Sequence, residues 1–169
     1  MASSSASIPL KLTREGVIHV VRTTIAALVS LLVARLFKLP EAYWATVTTL
    51  VVMQSTFGAA FTVSWHRFLG SAIGAAAGAL LATYFGTNAA MFAVGIFVMG
   101  TLCAVLQLDR VAYRFAGVTL AIVMLIARSS PPWIVAIHRF VEVSVGIAVA
   151  LAITAVWPEA QTSSDSPAS

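Results

Sequence analysis

Long apolar runs alternate along the chain with short polar or helix-breaking segments. The first run, about 17–39, is closed by Pro40-Glu41. The second, about 42–64, carries no charge between Glu41 and His66. Positions 68–108 hold no charged residue, a stretch of 41 (108 − 67). One membrane crossing takes roughly 20 apolar residues. This stretch therefore predicts two spans, about 68–85 and 89–108, joined at Gly86-Thr87-Asn88. A fifth span, about 111–127, ends at Ser129-Ser130-Pro131-Pro132, and a sixth, about 133–157, is stopped by Pro158. The pattern predicts an all-α polytopic membrane protein. Its six-helix transmembrane bundle covers 15–158, between a flexible segment at 1–14 and a disordered polar tail at 159–169. A cleaved signal peptide is not expected. The first run contains Arg22 and ends at Arg35-Leu36-Phe37-Lys38 without a small-residue cleavage site.

Composition narrows the function. Of 169 residues, 60% are hydrophobic and 9% charged, against about 25% charged in a soluble domain. Mean hydropathy is +0.96. So few charges cannot clothe a water-facing surface, which excludes a soluble enzyme, a disordered chain and a nucleic-acid binder. The net charge of +4 comes from basic residues scattered singly beside apolar runs, the pattern of topology signals. Cys103 is the single cysteine, so no intrachain disulfide can form. No Cys/His spacing suits a metal, and no motif suits a cofactor. No Ser/His/Asp set, HExxH helix or glycine-rich phosphate loop occurs, so an enzyme is not expected.

Six spans put both termini on one side of the membrane. Lys11, Arg14, Arg22, Arg67, Arg110 and Arg114 fall on that side, against Arg35, Lys38, Arg128 and Arg139 on the other. The positive-inside rule then places both termini in the cytoplasm. His66-Arg67-Phe68 recurs as His138-Arg139-Phe140 at an offset of 72 (138 − 66), where Gly74 also meets Gly146. Ala42-Tyr43 recurs as Ala112-Tyr113 at an offset of 70 (112 − 42). The chain thus divides as three spans plus three. Three is odd, so the expected arrangement is a 3+3 inverted repeat.

Several residues carry candidate chemistry. Gly70, Gly74 and Gly78 share one helix face and allow close helix packing. In the second span Thr46, Thr49 and Met53 share a face, and the Gln54 amide needs partners in hydrocarbon; the choice lies between helix glue and a substrate path. Glu15, His19 and Arg22 share a face in the first span, and His138, Arg139 and Glu142 cluster in the sixth. Acid, imidazole and guanidinium within a turn suit ion coupling, a carboxylate clamp or local neutralisation. Arg67, Arg110 and Arg114 read as end-of-span residues that snorkel to the headgroups.

The run Ala42-Tyr43-Trp44-Ala45-Thr46-Val47-Thr48-Thr49-Leu50-Val51-Val52-Met53-Gln54, followed by Arg67-Phe68-Leu69-Gly70-Ser71-Ala72-Ile73-Gly74 and Gly78, resembles the membrane domain of the fusaric acid resistance (FUSC-like) and aromatic acid exporter family. The resemblance covers about 15–157 and matches the family at Trp44, Arg67, Gly70, Gly74 and Gly78. It implies a six-helix inner-membrane bundle that exports aromatic carboxylic acids or similar small organic anions, driven by the proton gradient. Larger members carry a second membrane half or a soluble domain, so this chain is expected to work as a homo-oligomer or with a partner membrane subunit. Expected substrate-binding residues are Trp44, Thr46, Thr49, Gln54 and Arg67, since an aromatic anion needs an arginine and a ring wall. Expected ion-coupling residues are His19, Arg22, His138, Arg139 and Glu142. The partners are the lipid bilayer and the anion, without nucleic acid. The alternative is a non-transporting membrane module that assembles with or regulates another membrane protein.

Overall fold

The structure, a computed structural model, describes residues 14–54, 56–126 and 130–157. Helices α1 (Arg14–Leu36), α2 (Tyr43–Val52), α3 (Phe57–Tyr84), α4 (Ala89–Val105), α5 (Arg110–Leu125) and α6 (Pro132–Val156) make it up. No strand occurs among the described residues. The expected flexible segment and polar tail lie outside them, except for Arg14, which opens α1.

The second expected span is not one helix. α2 stops at Val52, and Met53 is extended at φ −60° and ψ 116°. α3 starts afresh at Phe57, where the Thr56 hydroxyl accepts a hydrogen bond from the Ala59 amide at 3.3 Å. The cause is local. Gln54-Ser55-Thr56 offers no apolar side chain to a helix face, and short hydroxyl side chains favour capping over helix interiors. As a result Trp65, His66 and Arg67 lie well inside α3 rather than at a span end. Among the described residues, two helices are long and apolar enough to cross a membrane: α1 from Gly16 to Leu36, and α6. α2 and α4 are apolar but shorter. Of the six expected spans, two thus meet that length and apolarity by themselves.

Bulky apolar side chains cover the outside. Val20, Leu32, Phe97, Val105 and Val156 are each more than half exposed. The interior holds small residues and, fully or nearly buried, Arg22, Arg67, Arg139 and Glu142. This inversion is what a hydrocarbon solvent selects.

The helices interlock across the chain. α1 packs on α2 and α6, and α4 packs on α5 and α3. α3 crosses α5, α6 crosses α2, and α3 lies against α6 at the centre. Exchanging α1 with α4, α2 with α5 and α3 with α6 leaves this set of interfaces unchanged. Three glycines set the closest crossings, Gly70 and Gly74 of α3 against α5 and Gly146 of α6 against α2. A Cβ at Gly74 would lie 2.3 Å from the Ala116 carbonyl oxygen, and one at Gly146 would lie 2.4 Å from that of Ala45. The ends of α1 and α4 also match. Lys38 and Gln107 both take φ of 52°. The Leu39 amide donates to the Ala34 carbonyl and the Leu108 amide to that of Cys103, so each helix closes in a Schellman turn.

Candidate functional site

A charged and aromatic cluster sits at the centre of the bundle, built from the two crossing helices and α2. Arg139, on α6, stacks its guanidinium 4.1 Å from the Trp44 ring centre. Its Nη1 donates to Glu142 Oε2 at 3.0 Å, one turn along the same helix. Glu142 Oε1 accepts from the Glu41 amide at 3.1 Å, and Glu41 Oε2 accepts from Trp44 Nε1 at 3.0 Å. These four residues form a closed cycle that ties α6 to the entry of α2. The buried ion pair is 2% and 1% exposed, so the loss of either partner would strand a charge in a low-dielectric site.

Arg67 occupies the corresponding place on α3. Its guanidinium lies 4.6 Å from the Phe115 ring centre on α5, and Nη2 donates to Thr48 Oγ1 at 3.1 Å. It is 5% exposed. Its Nε makes no hydrogen bond, and no carboxylate pairs with it among the described residues. Trp44 and Thr48, which meet the two arginines, are one turn apart on α2. That separation is about 6 Å at the usual rise per residue, so two guanidinium groups stand near one another in the core.

A cleft of about 90 Å³ reaches this cluster, lined by Pro40, Glu41, Ser130, Val135, His138, Arg139 and Glu142. His138 is thus at the cleft wall. Beside Arg67 on α3, His66 Nε2 lies 3.9 Å from Asp109 Oδ2, just before α5. Asp109 also caps α5 through the Val111 amide.

The remaining expected site residues serve other contacts. Arg22 lies at the opposite end of α2, donating to the carbonyls of Gln54 and Trp157, which follow the ends of α2 and α6. Arg22 and the Arg139–Glu142 pair therefore do not form one cluster. His19 is half-buried on α1, a turn before Arg22. Thr49 donates to the carbonyls of Ala45 and Gly146, both at 3.0 Å, and Thr46 to that of Ala27 at 3.5 Å. Both threonines join α2 to a neighbouring helix. Gly70, Gly74 and Gly78 face α5, against Ala112, Ala116 and Val123. Arg110 and Arg114 are exposed on α5, whereas Arg67 is not the snorkelling residue expected.

Glu41, Thr48 and Phe115 belong to the cluster but were missing from the expected site. Glu41 reads in sequence as a helix breaker. Thr48 lies on the α2 face of Trp44, at i+4, rather than on that of Thr46 and Thr49. Phe115 stands 71 positions after Trp44, and this offset was the available sign. No group of three or more His, Cys, Asp or Glu that could hold a metal ion occurs among the described residues.

Known proteins resemble this chain. It is 30% identical over 149 residues to the inner membrane protein YeeA of Escherichia coli K12, an alignment covering 85% of this chain and 41% of that protein. It is 34% identical over 138 residues to the uncharacterized transporter YdhK of the same strain, covering 76% of this chain and 21% of that one. The chain therefore spans less than half the length of these relatives. No solved structure matches it. The fusaric acid resistance protein-like family matches residues 25–153, most of the six-helix unit. The chain belongs to that family.

Proposed function

We propose that the chain forms the membrane core of a secondary transporter that exports small organic anions, aromatic carboxylates among them, across the inner membrane. Arg67 carries this reading. A buried guanidinium without a carboxylate partner costs several kcal/mol, and an anion that settles beside it recovers that cost. A guanidinium offers a carboxylate two parallel hydrogen bonds. Phe115 and Trp44 supply ring faces for an aromatic substrate. YdhK being named a transporter supports the same reading.

The cleft of about 90 Å³ is well below the roughly 300–1,000 Å³ of small-molecule sites. The structure thus corresponds to a closed state in this mechanism. The extended breaks at Met53 and Ile126, which free α2 from α3 and α5 from α6, are the hinges that open it. The helices cross the membrane as two inverted three-helix halves. The exchangeable interfaces, the paired Schellman turns and the 72-residue offset support that arrangement. The exposed Arg14, Arg110 and Arg114, against Arg35 and Lys38, favour cytoplasmic termini. The proton gradient is the driving force, and the cleft lined by His138 and Glu41 is the entry path. The unit acts as an oligomer through the apolar groove between Ala75 and Ala79 of α3 and Trp133 and Ile137 of α6.

The test is accumulation of labelled aromatic acids in cells lacking their own exporters, with and without an uncoupler. Expression should lower accumulation of at least one acid, and both the uncoupler and Arg67→Gln should abolish the effect. Unchanged accumulation of every acid, with the protein present in the membrane, overturns the reading.

A further inference from the structure

Resting on the anion site just described, we infer that Glu142 is a built-in counter-anion that limits the substrate to one negative charge. The two arginines occupy matching places, 72 positions apart (139 − 67), and each stacks on an aromatic ring of the second helix in the opposite half. They differ in what stands one turn further along their own helix. After Arg139 that residue is Glu142. After Arg67 it is Gly70, which presses against the Ala112 carbonyl and brings no charge. The protein therefore supplies a carboxylate to one guanidinium and leaves the other to be completed from outside.

The charge balance follows. The buried charged groups of this cluster are Arg67, Arg139 and Glu142, at 5%, 1% and 0% exposure, while the buried Arg22 lies beyond the far end of α2 on the Gln54 and Trp157 carbonyls. With Glu142 ionised they sum to one positive charge. Glu41 stands half-buried at the cleft, where water screens it more. A monocarboxylate brings the centre to neutrality. A dicarboxylate leaves a second carboxylate in the core with its natural partner, Arg139, already held at 3.0 Å by Glu142. A buried charge without a partner is strongly disfavoured. Glu142 is thus a specificity-determining residue that acts through Arg139.

The test uses the purified full chain in lipid nanodiscs at pH 7.5, with displacement of labelled benzoate by unlabelled acids. Isophthalate is the same ring with a second carboxylate. Its monomethyl ester is at least as large but carries one charge. Wild type should prefer benzoate to isophthalate by at least about tenfold and should bind the monoester like benzoate. Glu142→Gln should bring the benzoate-to-isophthalate ratio near one or reverse it. Arg139→Gln/Glu142→Gln, which restores a single net charge, should keep the wild-type ratio. Equal rejection of monoester and isophthalate by wild type means the site measures size, and overturns the inference without any variant. A Glu142→Gln protein that binds benzoate with the wild-type ratio also overturns it. Absence of benzoate binding in wild type, or benzoate binding unaltered in Arg67→Gln, sinks the underlying anion site instead.

Discussion

A single methyl group separates a tolerated from a damaging change at the two helix crossings. A Cβ at Gly74 or Gly146 would meet backbone oxygen at 2.3 or 2.4 Å, which no rotamer can relieve, so the helices must part. Gly58 has nothing within 4 Å of the same atom. Gly74→Ala and Gly146→Ala should each cost about 1–3 kcal/mol through overpacking, whereas Gly58→Ala should be neutral or gain up to about 1 kcal/mol of backbone entropy. Thermal unfolding midpoints in detergent should rank the three in that order, and a Gly146→Ala midpoint at or above wild type refutes the close-crossing account. Arg22 supplies a second contrast. It is fully buried and holds carbonyls at the ends of α2 and α6. Arg22→Met should destabilise by about 2–3 kcal/mol, as expected for charge-assisted bonds lost in the interior, while the protein that folds keeps its benzoate affinity. An affinity lost together with stability places Arg22 in the site after all. At this scale the sequence was readable where chemistry stood out from its surroundings. Arg139 and Glu142 are charges in an apolar run, three residues apart, and Gly70, Gly74 and Gly78 repeat every fourth position. Phe115 is one phenylalanine among many apolar residues, and nothing local marks it as the partner of Arg67.

At the scale of elements, turns and caps decide where helices stop. Four of the six expected spans correspond to helices whose ends lie within a few residues of the breakers that predicted them, and α3 ends as expected but starts at Phe57 rather than near 68. Pro40-Glu41 precedes α2, Gly86-Thr87-Asn88 links α3 to α4, and Pro131-Pro132 opens α6. The break between α2 and α3 was illegible because hydropathy averages over a window, and three polar residues inside a long apolar run do not lower it enough. Only the capping chemistry of Thr56 marks it, and that break turns Arg67 from a headgroup residue into a core residue. The turns closing α1 and α4 give a prediction of their own. Lys38 and Gln107 sit in the left-handed region, which costs an L-residue roughly 1–2 kcal/mol that glycine avoids. Lys38→Gly and Gln107→Gly should therefore each raise the unfolding midpoint, by similar amounts, corresponding to about 0.5–1 kcal/mol after the entropy lost by glycine. A lowered midpoint in both would show that their side chains matter more than the turn.

For the whole molecule the question is whether the interchangeable halves are also opposed in the membrane. The contacts give the direction of each helix. Arg22, early in α1, meets the residues that follow α2 and α6, so the start of α1 and the ends of α2 and α6 share one end of the bundle. Arg139 and Glu142, early in α6, meet Glu41 before α2, so the start of α6 lies at the other end. His66, in the first half of α3, approaches Asp109 before α5, which returns the α4–α5 turn to the half of the bundle where α3 starts. The Lys38 and Gln107 turns, alike in backbone, thus lie at opposite ends of the bundle. With cytoplasmic termini, Lys38 faces outward and Gln107 faces the cytoplasm. Both side chains are exposed, and the native Cys103 is buried; Cys103→Ala removes it as a labelling site. In that background a membrane-impermeant maleimide should label Lys38→Cys in intact cells, and Gln107→Cys only after permeabilisation. Swapped accessibility would keep the inverted halves but reverse the termini. Labelling of both from the same face would remove the inverted arrangement, and with it the idea that two matching arginines meet at the centre of a membrane-spanning path.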